Sequence, residues 1–77
     1  MSRFSGDQKA ILLNLQDYLL NETLIDDLLK ADRSVLHNLV VGGINLTTGD
    51  VVFVAPDGSS HKVNITDIKR CVVRKAA

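Results

Sequence analysis

The stretch from Gly49 to Val73 constrains the fold most, because it contains apolar runs separated by turn-forming residues. Val51–Ala55 is a nearly continuous apolar run, which is typical of a strand buried on both faces. Pro56-Asp57-Gly58 follows and predicts a tight turn, since proline fixes φ, aspartate can bond the backbone and glycine accepts a positive φ. From His61 to Ile65, apolar and polar residues alternate, which predicts a second strand with one solvated face. An antiparallel hairpin is therefore expected here.

The chain after this hairpin predicts a corner and a closing strand. Thr66-Asp67 can start a single helical turn, with Ile68 as its inward anchor, and Cys71–Val73 then forms a last strand. Together with an earlier alternating segment at 44–47, the sheet is expected to be an antiparallel meander of three or four strands. The turn and the corner resemble those of SH3-like and Sm-like barrels, a resemblance of architecture that implies no function. Whether the sheet closes is left open.

The residues before the sheet are helical in character. Asp7 predicts the cap of a helix that runs to about Leu20. Four of its apolar residues follow i, i+4, i+7, i+8 spacing and so share one face, namely Ile11, Leu15, Tyr18 and Leu19. Three further leucines widen this face, namely Leu12, Leu13 and Leu20.

Two interpretations of the next segment remain open. In one, Asn21 caps a second short helix whose apolar face includes Leu24, Ile25, Leu28 and Leu29; in the other, one helix runs unbroken to Ala31. A break at Asn21 is favoured, because asparagine is a better cap than helix-interior residue.

The segment that follows is ambiguous. Val35, Leu36 and Leu39 continue a helical spacing, whereas the β-branched pair Val40-Val41 favours a strand before Gly42-Gly43. The expected fold is thus a single α+β domain over residues 1–77, with a helical half at 7–39, a β half at 40–73 and a tail at 74–77.

The length of the chain limits its core. Seventy-seven residues bury only about 60–65% of their unfolded surface, and one cysteine allows no intrachain disulfide. Small domains without a disulfide or another cross-link often rely on oligomerisation, so a partner is expected to stabilise the fold. The net charge is zero, but the charges are unevenly placed. Residues 1–32 carry three cations and six carboxylates, whereas residues 33–77 carry six cations and three carboxylates. This asymmetry is compatible with attraction between the halves or with ordinary surface solvation.

The residue types that could support catalysis or metal binding are few and scattered. His37, His61 and Cys71 lack the spacings of metal sites, and no glycine-rich phosphate loop is present. Ser60 and His61 are adjacent on a predicted strand and point to opposite faces, and Cys71 lies in an apolar strand. We therefore expect no enzyme activity, no catalytic residue, no metal and no cofactor.

No segment has the run of about 20 apolar residues that a membrane span needs. The N-terminus does not resemble a secretory signal, because Asp7 precedes the apolar run and polar residues interrupt it. A cytoplasmic protein without membrane contact is expected.

The leucine-rich helix suggests a function in protein binding. Its leucines exceed what one small sheet is expected to bury, which favours self-association as a dimer, or a protein partner, through Ile11, Leu12, Leu15 and Leu19. The protein is then a non-enzymatic interaction module, a homo-oligomeric regulator or adaptor. The competing interpretation is that packing within the chain buries all of these leucines.

A second functional hypothesis is a small nucleic-acid-binding regulator. Its basic residues cluster in the last third of the chain, namely Lys62, Lys69, Arg70, Arg74 and Lys75. Stacking aromatics would strengthen this hypothesis, but Phe53 lies in the most apolar strand and Tyr18 on the helix. The competing interpretation is a solvated edge strand whose lysines prevent aggregation.

Overall fold

A computed structural model describes residues 4–73, which form one helix followed by five strands. The elements are α1 (Gly6–Asn21), β1 (Ile25–Lys30), β2 (Val35–Ile44), β3 (Asp50–Val54), β4 (Ser60–Asn64) and β5 (Ile68–Val73). A 3-10 turn at Ile65–Asp67, called the corner turn below, joins β4 to β5. The tail predicted at 74–77 lies outside the described residues.

The five strands form one antiparallel sheet in the order β4-β3-β2-β1-β5, so that β4 and β5 are its edges. The first half of the long strand β2 pairs with β1, and its second half pairs with β3. The predicted α+β class is confirmed, as are the turn at Pro56-Asp57-Gly58 and the corner before the last strand. The sheet has five strands instead of three or four, because residues 25–44 contribute two strands.

Helix α1 begins two residues earlier than a cap at Asp7 indicates. Ser5 is the N-cap: its hydroxyl accepts a hydrogen bond from the Gln8 N–H, and the Gln8 side chain accepts one from the Ser5 N–H. This reciprocal capping box stabilises the first turn, and Asp7 instead lies within that turn. The helix ends at Asn21, where the sequence favoured a break, with Glu22 in the left-handed conformation.

Residues 25–30 and 35–39 lie in strands joined by a turn, so the helical half predicted at 7–39 is wrong beyond Asn21. Ile25 and Leu28 are both buried although they are three residues apart, because the register with β5 shifts between Ile25 and Asp27. Such a bulge adds one residue between two inward positions and turns the strand period of two into three. The spacing therefore imitates a helix.

Strand β2 is irregular in the same way. Leu36 and Leu39 both pack in the core, and Asn38 between them has a φ of +56°. A second register shift between Val41 and Gly43 makes the Gly42-Gly43 pair a bulge within the strand. Here too, the apparent helical period of Val35, Leu36 and Leu39 comes from a distorted strand.

The same aspartate–serine hydrogen bonds form in two hairpin turns. Asp57 accepts hydrogen bonds from the N–H and the hydroxyl of Ser59, at 2.9 and 2.7 Å, in the turn between β3 and β4. Asp32 accepts the same two bonds from Ser34 in the turn between β1 and β2. These bonds lower the pKa of both carboxyls below the ordinary 3.8, since hydrogen-bond donors favour the charged form. Each turn is thus stabilised by its own aspartate, as the Asp57 turn chemistry predicts.

The core lies between the sheet and one side of α1, which packs against β2 and the corner turn. Its fully buried side chains come from the helix, three strands and the corner turn, and the largest are Phe53, Leu15, Ile25, Leu28, Leu39, Ile65 and Val51. Within residues 4–73, α1 lacks the length and apolar character required to cross a membrane.

Candidate functional site

The four residues predicted to bind a partner lie on the side of α1 that faces the sheet. Leu12 and Leu15 have relative exposures of only 4% and 0%, and Ile11 and Leu19 are partly buried against the same core. The contacts of all four are therefore made with this chain's own core.

The opposite side of α1 carries two other leucines. Leu13 and Leu20 have relative exposures of 64% and 76%, the highest among the large hydrophobic residues of the described chain. They are seven residues apart, which is two turns, and so they share a face. Leu15 lies about 200° around the helix from Leu13, at about 100° per residue, so this face points away from the core.

We call this surface the outer face of α1. It consists of six exposed residues, namely Lys9, Ala10, Leu13, Gln16, Asp17 and Leu20. Leu13 and Leu20 are thus exposed together on a regular, capped helix.

The two charges on the outer face lie one turn to either side of Leu13. Asn21 Nδ2 donates hydrogen bonds to Asp17 Oδ1 and to the Asp17 carbonyl, at 3.0 and 2.9 Å, which fixes the carboxylate on the helix surface. Among the described residues, no ion pair involves Lys9 or Asp17. Both charges remain available for contacts with another molecule.

A stricter use of helical periodicity would have identified this face. Placing the core direction at Leu15 puts Leu12 and Leu19 on the buried side, and it puts Leu13 and Leu20 opposite. By spacing alone, the seven apolar positions of the helix form one wide stripe. The distinguishing signal was that Leu13 and Leu20 fall among polar neighbours on the helix surface.

The basic residues of the nucleic-acid hypothesis lie on the two edge strands. Lys62 is on β4, whereas Lys69 and Arg70 are on β5, at the other end of the strand order. Arg74 and Lys75 lie outside the described residues. Strand β4 pairs with β3, and β5 pairs with β1. Lys62 is therefore not a cross-strand neighbour of Lys69 or Arg70.

A nearby carboxylate partly balances the charge of Lys62. Its Nζ lies 3.8 Å from Asp50 Oδ2. Hydrogen bonds from the side chains of Asn64 and Thr48 lower the pKa of Asp50, which keeps this carboxylate charged at neutral pH. The same Asn64 accepts bonds from the N–H and hydroxyl of Thr66 and so caps the corner turn. Lys62 therefore forms an ion pair between β4 and β3.

The candidate catalytic side chains belong to different strands. Burial raises the pKa of the Cys71 thiol to about 11, so little of the reactive thiolate forms at neutral pH. Cys71 is on β5 and His61 on β4, the opposite edges. His37 Nδ1 lies 2.7 Å from Asp27 Oδ1 as a cross-strand pair on an exposed part of the sheet. Among residues 4–73, histidine, cysteine and carboxylate side chains form no group of three suited to a metal.

Comparisons with known protein families, with curated proteins and with solved structures found no match to this chain.

Proposed function

We propose that the protein is a non-enzymatic interaction module, a regulator or adaptor that self-associates through the outer face of α1. The observation that carries this proposal is the exposure of Leu13 and Leu20 on one helix face, opposite the core. Full burial of one leucine stabilises a complex by about 1.5–3 kcal/mol, and a symmetric dimer would bury both leucines twice.

The small core supports the same proposal. Eleven hydrophobic residues of the described chain are buried, and among the helix residues these are only Leu12 and Leu15. A domain of this size gains stability from association, because binding to the folded state shifts the unfolding equilibrium. The raised pKa of the Cys71 thiol and the placement of the two histidines on strands that do not pair with each other support a binding function over a catalytic one.

Sedimentation equilibrium of the full chain tests this proposal. The average mass should rise from one chain towards two between about 10 µM and about 1 mM, because a contact confined to one helix face falls in the range of small, weak interfaces. Leu13→Asp should weaken association at least about tenfold, since it places a charge in the apolar contact.

Leu46→Asp is the matched control, because Leu46 is a half-exposed leucine in the loop between β2 and β3 and does not belong to the outer face of α1. This variant should associate as the wild type does. A wild-type protein that stays monomeric at about 1 mM, or equal effects of the two substitutions, would contradict the proposal.

A further inference from the structure

We infer that α1 packs antiparallel against α1 of a second copy, with Leu13 at the twofold axis and Lys9 facing the partner's Asp17. This arrangement rests on the proposed self-association and specifies its geometry. It is carried by the charges of the outer face.

The spacing of the charges is symmetric about Leu13. Lys9 precedes it by four residues and Asp17 follows it by four, so each lies about 6 Å along the axis from Leu13 on the same side of the helix. A twofold axis through Leu13 therefore brings each lysine opposite a carboxylate of the other copy. Two identical ion pairs form at once, one on each side of the Leu13 contact.

Other arrangements of the same face place like charges together. A parallel pair sets Lys9 against the partner's Lys9 and Asp17 against the partner's Asp17. An antiparallel pair that matches Leu13 with the partner's Leu20 centres the axis between Gln16 and Asp17 and brings the two carboxylates close together. Like charges facing each other across an interface are unfavourable, so charge complementarity selects the axis at Leu13.

The remaining positions fit this axis. Leu20 lies seven residues beyond Leu13 and falls opposite the partner's Gly6, where the absence of a side chain leaves room for a leucine. Ala10 falls opposite the partner's Gln16. Antiparallel helices also place each N-terminus beside a C-terminus, which aligns their dipoles favourably.

Charge reversal measured by sedimentation equilibrium tests the geometry. Lys9→Glu and Asp17→Lys should each weaken the dimer roughly tenfold at low salt, because each replaces two attractions with two repulsions. The double variant should return to within about threefold of the wild type, since it restores both pairs with their signs exchanged. Circular dichroism checks the helix, which both changes should preserve because they place an acid nearer its N-terminus and a base nearer its C-terminus.

The outcomes separate this inference from the proposed function. If Leu13→Asp abolishes association while both charge reversals leave it unchanged, the outer face is the interface but the arrangement is wrong. If Asp17→Asn strengthens the dimer, the contact centred between Gln16 and Asp17 is correct and the Leu13 axis is overturned. If single reversals weaken the dimer and the double variant does not recover, the pairing of Lys9 with Asp17 is overturned. If the wild type does not associate, both proposals fail.

Discussion

Replacing Gly49 with alanine is expected to destabilise the fold by about 3 kcal/mol. Gly49 has a φ of +81°, a conformation in which a Cβ is strained. The added Cβ would also lie 2.6 Å from Ile65 Cγ2 and 2.9 Å from Phe4 Cε1. Ile65 is fully buried and cannot yield easily. Two hydrogen bonds fix this backbone further, one from the Gly49 N–H to the Asn45 carbonyl and one from the Ile65 N–H to the Gly49 carbonyl.

Gly58→Ala is the matched control for this substitution. Gly58 has a similar φ of +89°, but an added Cβ would meet nothing within 4 Å. The Gly58→Ala substitution should lower the free energy of unfolding by only about 1 kcal/mol, because it adds backbone strain without a steric clash. Urea unfolding followed by circular dichroism, at one protein concentration low enough to keep the chain monomeric, measures both losses. Equal losses at the two glycines would show that the close contacts of Gly49 do not contribute.

Leu15→Ala is expected to lower the free energy of unfolding by about 3 kcal/mol. Leu15 is fully buried where α1 packs on the sheet, so its truncation removes apolar contacts and leaves a cavity. This loss is a large share of the roughly 4–12 kcal/mol expected for a domain of this size.

Leu13→Ala, two residues away on the same helix, provides the comparison. Because Leu13 is exposed and alanine favours helix, the stability of the monomer should change by less than about 0.5 kcal/mol. The same urea experiment measures the loss of stability for each variant and so distinguishes the core-facing side of α1 from the outer face. Equal losses for Leu13→Ala and Leu15→Ala would contradict the division into a core-facing side and an outer face.

The C-terminal half of the fold was predictable because its local signals agree with its tertiary structure. Pro56-Asp57-Gly58 forms the expected turn, and the corner expected at Thr66-Asp67 forms with the nearby Asn64 side chain as its cap. Such short-range chemistry is readable from a single sequence.

The strands β1 and β2 were not predictable, because their irregularities depend on distant partners. The bulge between Ile25 and Asp27 exists only in the register with β5, more than forty residues along the chain. The left-handed Asn38 likewise makes β2 resemble a helix in spacing. Pairing between strands overrides local propensity at such positions.

The candidate site was predictable in its element but not in its residues. The sequence identified the leucine-rich helix, yet it could not fix which side faces the sheet, since leucines occupy both sides. That choice depends on how α1 packs against β2 and the corner turn. The capping box at Ser5 and Gln8 was present in the sequence, and it would have moved the predicted start of the helix ahead of Asp7.

A dilution series of ¹H–¹⁵N spectra tests the central claim, self-association through the outer face of α1, most directly. Between about 1 mM and about 20 µM, chemical shifts should change at Lys9, Leu13, Asp17 and Leu20, since dilution in this range crosses the dissociation of a weak dimer. Amides of the edge strands β4 and β5 should stay constant. Concentration-independent spectra, or changes confined to the edge strands, would contradict the claim.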